Sequence, residues 1–310
     1  VKALVLLSSF RGRNFIGRQI ESILSQEAVD LRLIVRDDGS DDDTASLVEG
    51  MAAKDPRIEP VRGTNLGFVG SFFELLKISE ASDAPFIAFA DQDDIWPPSR
   101  LARQLSALSA LPSTQPALCF GGFLRIDADG MPMDDQAVLP PLPDKGALLS
   151  ENQVPGCTMV INRAAHRIIS ADLPPPDRIF AHDWWVEQVT AFVGVVVRVD
   201  DVVLHYRQHS ANLIGAPSQF GVWRDRLTRI HKLRGSHPLL GQVRELHRRF
   251  GDRMSAADRA RIERFMQAAG GNFAQRLAHV FSAGFRRARR SDDVFLRLLL
   301  LTGYFRTPEL

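Results

Sequence analysis

Asp91-Gln92-Asp93-Asp94 places three carboxylates in four consecutive positions. Like charges at that density repel one another unless a cation or hydrogen-bond donors offset them. A hard divalent ion such as Mg²⁺ or Mn²⁺, completed by substrate phosphates, suits such a cluster. A solvated acidic turn with helix-capping aspartates is the plainer alternative. A second acidic run sets Asp37, Asp38, Asp41, Asp42 and Asp43 around Gly39, which permits a sharp turn. Asp37 or Asp38 could accept hydrogen bonds from a base N–H or ribose hydroxyls, or the run could merely cap the following helix. His182-Asp183-Trp184-Trp185 puts a carboxylate beside two indoles. Partly apolar surroundings raise a carboxylate toward the range of a general base, and indoles can pack on apolar ring faces. The competing reading is two core tryptophans beside a capping aspartate. His205-Tyr206-Arg207-Gln208-His209 gathers polar groups in one run. His209 could complete a metal shell or donate to a phosphate, and Arg207 could pair with a pyrophosphate oxygen. A histidine in such a place is more often structural.

These groups need a frame, and the hydropathy pattern supplies one. Residues 3–7, 31–35, 58–61 and 84–90 read as apolar strands, the last buried on both faces, while 14–24, 44–53 and 72–78 carry helical spacing. Gly63 to Gly67 reads as a turn. Pro97 and Pro98 stop the fourth strand, and Ser99 is expected to cap a helix from Arg100. Strand and helix in repeated alternation predict an α/β fold with a mostly parallel sheet covered by helices. Both acidic runs then fall at the carboxyl ends of strands, the edge where open α/β sheets bind ligands. Residues 117–125 and 158–161 read as further strands, and 195–203 as a valine-rich strand bent at Asp200 and Asp201. Arginine-rich helices are expected at 224–233, 243–250, 256–266 and 273–289.

Composition bounds the setting. The chain is 45% hydrophobic and 24% charged, ordinary for a soluble protein with a full core. Cys119 and Cys157 are too few for a disulfide framework and lack zinc spacing, which fits a reducing, cytoplasmic setting. The opening apolar run reads as a strand and not as a signal peptide, and no apolar stretch reaches transmembrane length. The net charge of +1 hides a division: residues 1–215 hold 19 Lys+Arg against 29 Asp+Glu, and residues 216–310 hold 19 against 8. An acidic front and a basic back suggest two jobs.

Ser8-Ser9-Phe10, Arg36-Asp37-Asp38-Gly39-Ser40, Asn65-Leu66-Gly67, Asp91-Gln92-Asp93-Asp94-Ile95-Trp96, Pro155-Gly156-Cys157-Thr158, His182-Asp183-Trp184-Trp185 and Tyr206-Arg207-Gln208-His209 follow one another in this order. Together they resemble a family 2 glycosyltransferase, most similar to the bacterial rhamnosyltransferase-like branch that builds surface polysaccharide. Motifs in series are far more specific than any one of them. The resemblance implies a GT-A fold over residues 1–215, with a nucleotide-sugar half to about residue 100 and an acceptor half beyond, followed by a basic helical extension at 216–310. It implies inverting transfer from a nucleotide sugar to a saccharide acceptor, with dTDP-rhamnose the expected donor and a UDP-hexose the alternative. It assigns Asp183 as catalytic base and Asp93 and His209 as ligands of Mn²⁺ or Mg²⁺. Ser9, Phe10, Asp37, Asp38, Asn65, Gly67, Asp91, Gln92 and Arg207 fall to the nucleotide sugar, and His182, Trp184 and Trp185 to the acceptor.

Two departures stand out. Many relatives carry Thr-Tyr-Asn-Gly where this chain has Ser9-Phe10-Arg11-Gly12, and the Gln-x-x-Arg-Trp motif of processive synthases is absent. A non-catalytic sugar-nucleotide-binding protein is the competing class, disfavoured by the intact Asp91, Asp93 and Asp183. For the basic extension three roles are open: contact with the inner membrane near a lipid-linked acceptor, a homodimer interface, or packing on the catalytic domain. Nucleic acid is not an expected partner, because basic charge comes without a recognised module.

Overall fold

The computed structural model describes residues 1–209, 239–281, 284–287 and 289–305. The helix expected at 224–233, and the boundary expected at 215, lie outside the described residues. Strands β1 (Lys2–Ser9), β2 (Asp30–Asp37), β3 (Ile58–Arg62), β4 (Phe86–Ala90), β5 (Ala117–Ile126), β6 (Val160–Asn162) and β7 (Val195–Arg207) form one sheet in the order β3-β2-β1-β4-β6-β5-β7. All neighbours are parallel except β6, which runs antiparallel to both β4 and β5. The expected mostly parallel α/β architecture is present.

Helices cover both faces. Along β1 the side chains alternate, Leu4 and Leu6 entering one core and Val5 and Leu7 the other. The second core is closed by α1 (Ile16–Leu24) and α4 (Arg100–Ser109), which bury Ile16, Ile20, Ile23, Leu101, Leu105 and Leu108. Against the first core lie α3 (Gly67–Ile78), α5 (Arg163–Ser170) and α6 (His182–Val193), while α2 (Thr44–Ala52) follows β2. All five residues of β4 are buried, as its uninterrupted apolar run requires. The bend expected at Asp200 and Asp201 is a shift in register: Phe120 faces Arg198, but Gly122 faces Val202.

Some local expectations are corrected. Ser99 stands before α4 but makes no side-chain cap; Gln26 Oε1 accepts the Leu101 N–H at 2.9 Å instead. Residues 72–78 lie on a helix as expected, one that begins at Gly67. After β7 the described chain resumes with α7 (Leu239–Phe250), α8 (Ala256–Gly270), α9 (Phe273–Val280) and α10 (Arg290–Thr302). The single helix expected over residues 273–289 stops at Val280, where the Arg297 guanidinium from α10 bonds to the carbonyls of Val280 and Phe285. Leu239, Leu240, Val243, Leu246 and Phe250 of α7 join the same core as α6 and the sheet, with Phe250 lying 6.0 Å from Trp185. Among the described residues no helix is long and apolar enough to cross a membrane.

Candidate active site

The loops after β1, β2 and β4 meet at the carboxyl edge of the sheet and are bonded to one another. Gln92 closes a reciprocal pair with the backbone of Phe10: it accepts the Phe10 N–H at 2.8 Å and donates to the Phe10 carbonyl at 3.1 Å. Arg11 reaches the second loop, donating its N–H to Ser40 Oγ at 2.9 Å and forking onto Asp41. Ser9 is buried and its carbonyl accepts the Asp38 N–H at 2.8 Å.

Asp37 and Asp38, expected at the nucleoside, are both buried and internally bonded. Asp37 accepts the Ser40 N–H and hydroxyl at 2.9 and 2.5 Å, closing the turn that Gly39 makes at φ +77°. Asp38 is ion-paired to the buried Arg36 guanidinium and accepts the Leu66 N–H at 2.9 Å. Arg36 also donates to Ser71 Oγ and the Thr64 carbonyl, so the pair fastens the turn before α3 to β2. Asn65 folds back on Gly67, whose N–H it accepts at 3.0 Å, and both are exposed.

At the β4 loop the expected metal pair comes together: Asp93 Oδ2 lies 2.9 Å from His209 Nε2. The His209 ring is stacked on Phe15 at 4.5 Å. Arg207 takes a different place from the one expected. It is 1% exposed, and its guanidinium donates to the carbonyls of Asp93, Asp127 and Ala128. Its own N–H bonds to Asp94 Oδ1 at 3.0 Å. Arg207 is thus a strut tying the end of β7 to the acidic loop.

Beside Asp93, the half-buried Asp91 and the buried Asp94 crowd together with the buried Cys157. Among the described residues, ligating atoms of Asp91, Asp94 and Cys157 lie within 4.8 Å of one another. Burial, then the charges of Asp93 and Asp183, push Asp91 up to about 7. Burial, then Asp93 and Asp91, push Asp94 well above the usual carboxylate range, and burial likewise pushes up the Cys157 thiol. Arg100 is fully buried, with its guanidinium 3.5 Å from the centre of the Trp96 ring. Burial pushes Arg100 down to about 9. A protonated thiol is a poor partner for a hard ion, whereas an Asp–His pair beside substrate phosphates fits Mn²⁺ or Mg²⁺. The donor set therefore favours Asp93 and His209 as ion ligands over the trio of Asp91, Asp94 and Cys157.

Asp183 lies in the first turn of α6, where the helix N-terminus favours negative charge. Asn152 Nδ2 and the Gly156 N–H both donate to Asp183 Oδ2, at 2.9 and 3.0 Å, and Oδ1 accepts the Trp184 N–H at 2.8 Å. Gly156 opens a short 3₁₀ turn, Gly156–Thr158, whose next residue is Cys157. One turn thus touches Asp183 on one side and the Asp91–Asp94 pocket on the other. A side chain at 156 would put its Cβ 2.6 Å from that of Asp183, so only glycine allows the approach.

The acceptor expectation is corrected in part. Trp184 and Trp185 are 3% and 0% exposed and belong to the core; Trp184 Nε1 donates to the Leu148 carbonyl at 2.8 Å. Neither presents an indole face to a ligand. His182 is also buried, stacked on Phe72 at 3.6 Å. The exposed rings near Asp183 are Phe68, edge-on to His182 at 5.9 Å, and Phe180, edge-on to Trp184 at 5.7 Å. Sequence reasoning missed Asn152, Arg100 and the role of Cys157. Arg100 looks like any first-turn surface residue, and only the Pro155-Gly156 pair hints at a close approach.

Residues 5–136 match the sequence model of the family described as Glycosyl transferase family 2. An uncharacterised glycosyltransferase of Nostoc sp. and the dTDP-rhamnosyl transferase RfbG of Shigella flexneri are each 25% identical, over 68% and 69% of this chain and 66% and 75% of their own lengths. WfaP of Escherichia coli, a glucosyltransferase named for UDP-Glc and a GlcNAc-diphosphoundecaprenol acceptor, is 29% identical over 33% of this chain and 39% of its own length. Among solved structures, S. aureus TarS 1–349 superposes with a TM-score of 0.59 at 12% identity, covering 98% of this chain and 80% of that one. The mannosyltransferase PcManGT from Pyrobaculum calidifontis, solved with GDP-Man and Mn²⁺, gives 0.52 at 15% identity, covering 97% and 81%. The GT-A fold expected from the sequence is the fold observed.

Proposed function

Residues 5–136 make this chain a member of glycosyl transferase family 2, and from that premise we propose that it transfers a sugar from a nucleotide sugar to a saccharide acceptor with inversion, using Asp183 as the base. One observation carries the reading: the Gly156–Thr158 turn brings the acidic loop after β4 and the carboxylate of Asp183 to a single place. The acceptor hydroxyl gives its proton to Asp183, and its oxygen bonds to the anomeric carbon from the face opposite the nucleotide. The bond from that carbon to the diphosphate oxygen breaks, and nucleoside diphosphate leaves. Asn152 and the Gly156 N–H fix the orientation of the Asp183 carboxylate. Asp93 and His209 would hold a divalent ion, which when bound offsets charge developing on the leaving diphosphate.

On the donor side we assign the loops of Ser9, Phe10, Asp37, Asp38, Asn65, Gly67, Asp91 and Gln92 to the nucleotide sugar. RfbG's name favours dTDP-rhamnose, and WfaP's name favours a UDP-hexose and a lipid-linked acceptor. The product would be a bacterial surface polysaccharide. A lipid-linked acceptor would place the protein at the inner face of the cytoplasmic membrane.

The test is nucleoside-diphosphate release from a panel of sugar nucleotides, with Mg²⁺ or Mn²⁺ and then with chelator. Release from one donor, abolished by chelator, is expected and names the sugar. Asp183→Asn should lose nearly all turnover while binding that donor with unchanged affinity. Wild-type turnover in this variant would refute the base assignment.

A further inference from the structure

α9 and α10 pack antiparallel, with a register set by two arginines. Arg276 of α9 donates to the Leu301 carbonyl, and Arg297 of α10 to that of Val280. Five apolar side chains are left uncovered: Phe273, Leu277, Phe281, Val294 and Leu298 are each between 50% and 69% exposed. Phe273, Leu277 and Phe281 follow at intervals of four, as do Val294 and Leu298, so each helix turns one apolar stripe outward. Scattered apolar residues need no explanation, but two adjoining stripes make a patch on the order of a few hundred Å², large enough to mark a contact.

Arginines stand at one end of the patch. Arg286, Arg289 and Arg290 are exposed, and among the described residues Arg289 and Arg290 have no carboxylate partner. Both sit at the N-terminus of α10, where the helix dipole disfavours positive charge; of the two first-turn carboxylates there, Asp293 is already paired with Arg297 and Asp292 offsets part of the arginine charge. Arg286 pairs with Asp144 at 3.4 Å, whereas the exposed Arg289 and Arg290 are left to match an anionic surface outside the protein.

We propose that the exposed faces of α9 and α10, with Arg286, Arg289 and Arg290, form the surface by which this protein lies on an anionic phospholipid bilayer. The apolar side chains enter the headgroup–acyl boundary and the guanidinium groups stay at the level of the lipid phosphates. A second copy of the chain is the competing occupant; the arginines at one end of the patch, which lipid phosphates would neutralise, favour the bilayer. The proposal gives the lipid-linked acceptor reading a place to act, but its test needs no donor or acceptor, so either can fail alone.

The experiment is co-sedimentation of the full chain with vesicles of phosphatidylglycerol and phosphatidylethanolamine, and with neutral phosphatidylcholine vesicles. Binding to the anionic vesicles that weakens with added salt is expected, with little on the neutral ones. Arg289→Gln with Arg290→Gln should weaken partitioning about 25-fold, at about fivefold for each arginine near an anionic surface. Leu277→Ser with Phe281→Ser should weaken it further, with the circular dichroism spectrum unchanged. Absence of wild-type binding, equal binding to neutral vesicles, or wild-type binding by both variants would overturn the proposal. So would a dimer in solution that Leu277→Ser with Phe281→Ser dissociates, if no vesicle binding accompanies it.

Discussion

His182 carries two ring nitrogens into the protein interior, and among the described residues neither has a hydrogen-bond partner. An unpaired buried polar group is costly, and the stacked Phe72 ring offers dispersion but no partner. Burial pushes the imidazole down to about 4, with Asp183 pulling the other way. The folded value lies below the unfolded one of about 6.5, so the unfolded chain binds the proton more readily. This histidine's contribution to stability is therefore full above pH 6.5 and is lost as the pH falls toward 4. His182→Phe keeps the stack and removes both orphan nitrogens. It should raise Tm by a few degrees near neutral pH and flatten the decline between pH 6.5 and 4. Thermal unfolding across that range checks it; an unchanged slope would assign the acid sensitivity elsewhere, His166 being the next group, itself pushed down to about 4 by burial.

At the scale of elements, the site depends on a three-residue turn and the first turn of a helix. The sequence reading placed a strand at 158–161; the chain makes the 3₁₀ turn Gly156–Thr158 first and enters β6 only at Val160. That turn delivers a backbone donor to Asp183 and a thiol to the Asp91–Asp94 pocket. Gly156→Ala would put a methyl group 2.6 Å from the Asp183 Cβ, which is anchored to the α6 backbone and cannot swing aside. We expect about a hundredfold loss of kcat with the fold retained, since displacement of a catalytic group by about 1 Å can cost that much. Nucleoside-diphosphate release, with donor affinity measured in parallel, reads the result. Near wild-type turnover would show that the turn plays no part in setting the base.

For the whole molecule, the division between an acidic front and a basic back is a division of charge and not of core. The α7 helix packs Leu239, Val243, Leu246 and Phe250 into the core that α6 and the sheet build. Gln242 bonds to Gln188 at 2.8 Å and to the Phe180 N–H at 2.8 Å, and Arg178 pairs with Glu245 at 2.7 Å. A chain cut after His209 would uncover Trp185 and leave Gln188 and the Phe180 N–H without these partners. It should be recovered mainly as aggregate and release no nucleoside diphosphate. A soluble, active fragment would show instead that the helices beyond are dispensable to the catalytic fold. Of the roles open to the extension on sequence grounds, packing on the catalytic domain is realised by α7; α9 and α10 keep a face to spare.

The strand–helix alternation, the order of the acidic strand ends and the buried β4 were readable in the chain because hydropathy period and turn chemistry are local properties. Asp93 and His209 were paired only by family resemblance, and their 2.9 Å approach comes from β7 ending beside β4's loop. Arg207, Arg100 and the two tryptophans show what local reading cannot reach. An arginine before a helix or after a strand looks solvent-bound until packing encloses it, and adjacent indoles look like a binding face until α6 turns both inward. Which polar groups end as ligands and which as struts was decided by tertiary packing, because burial and partner geometry depend on residues many positions away.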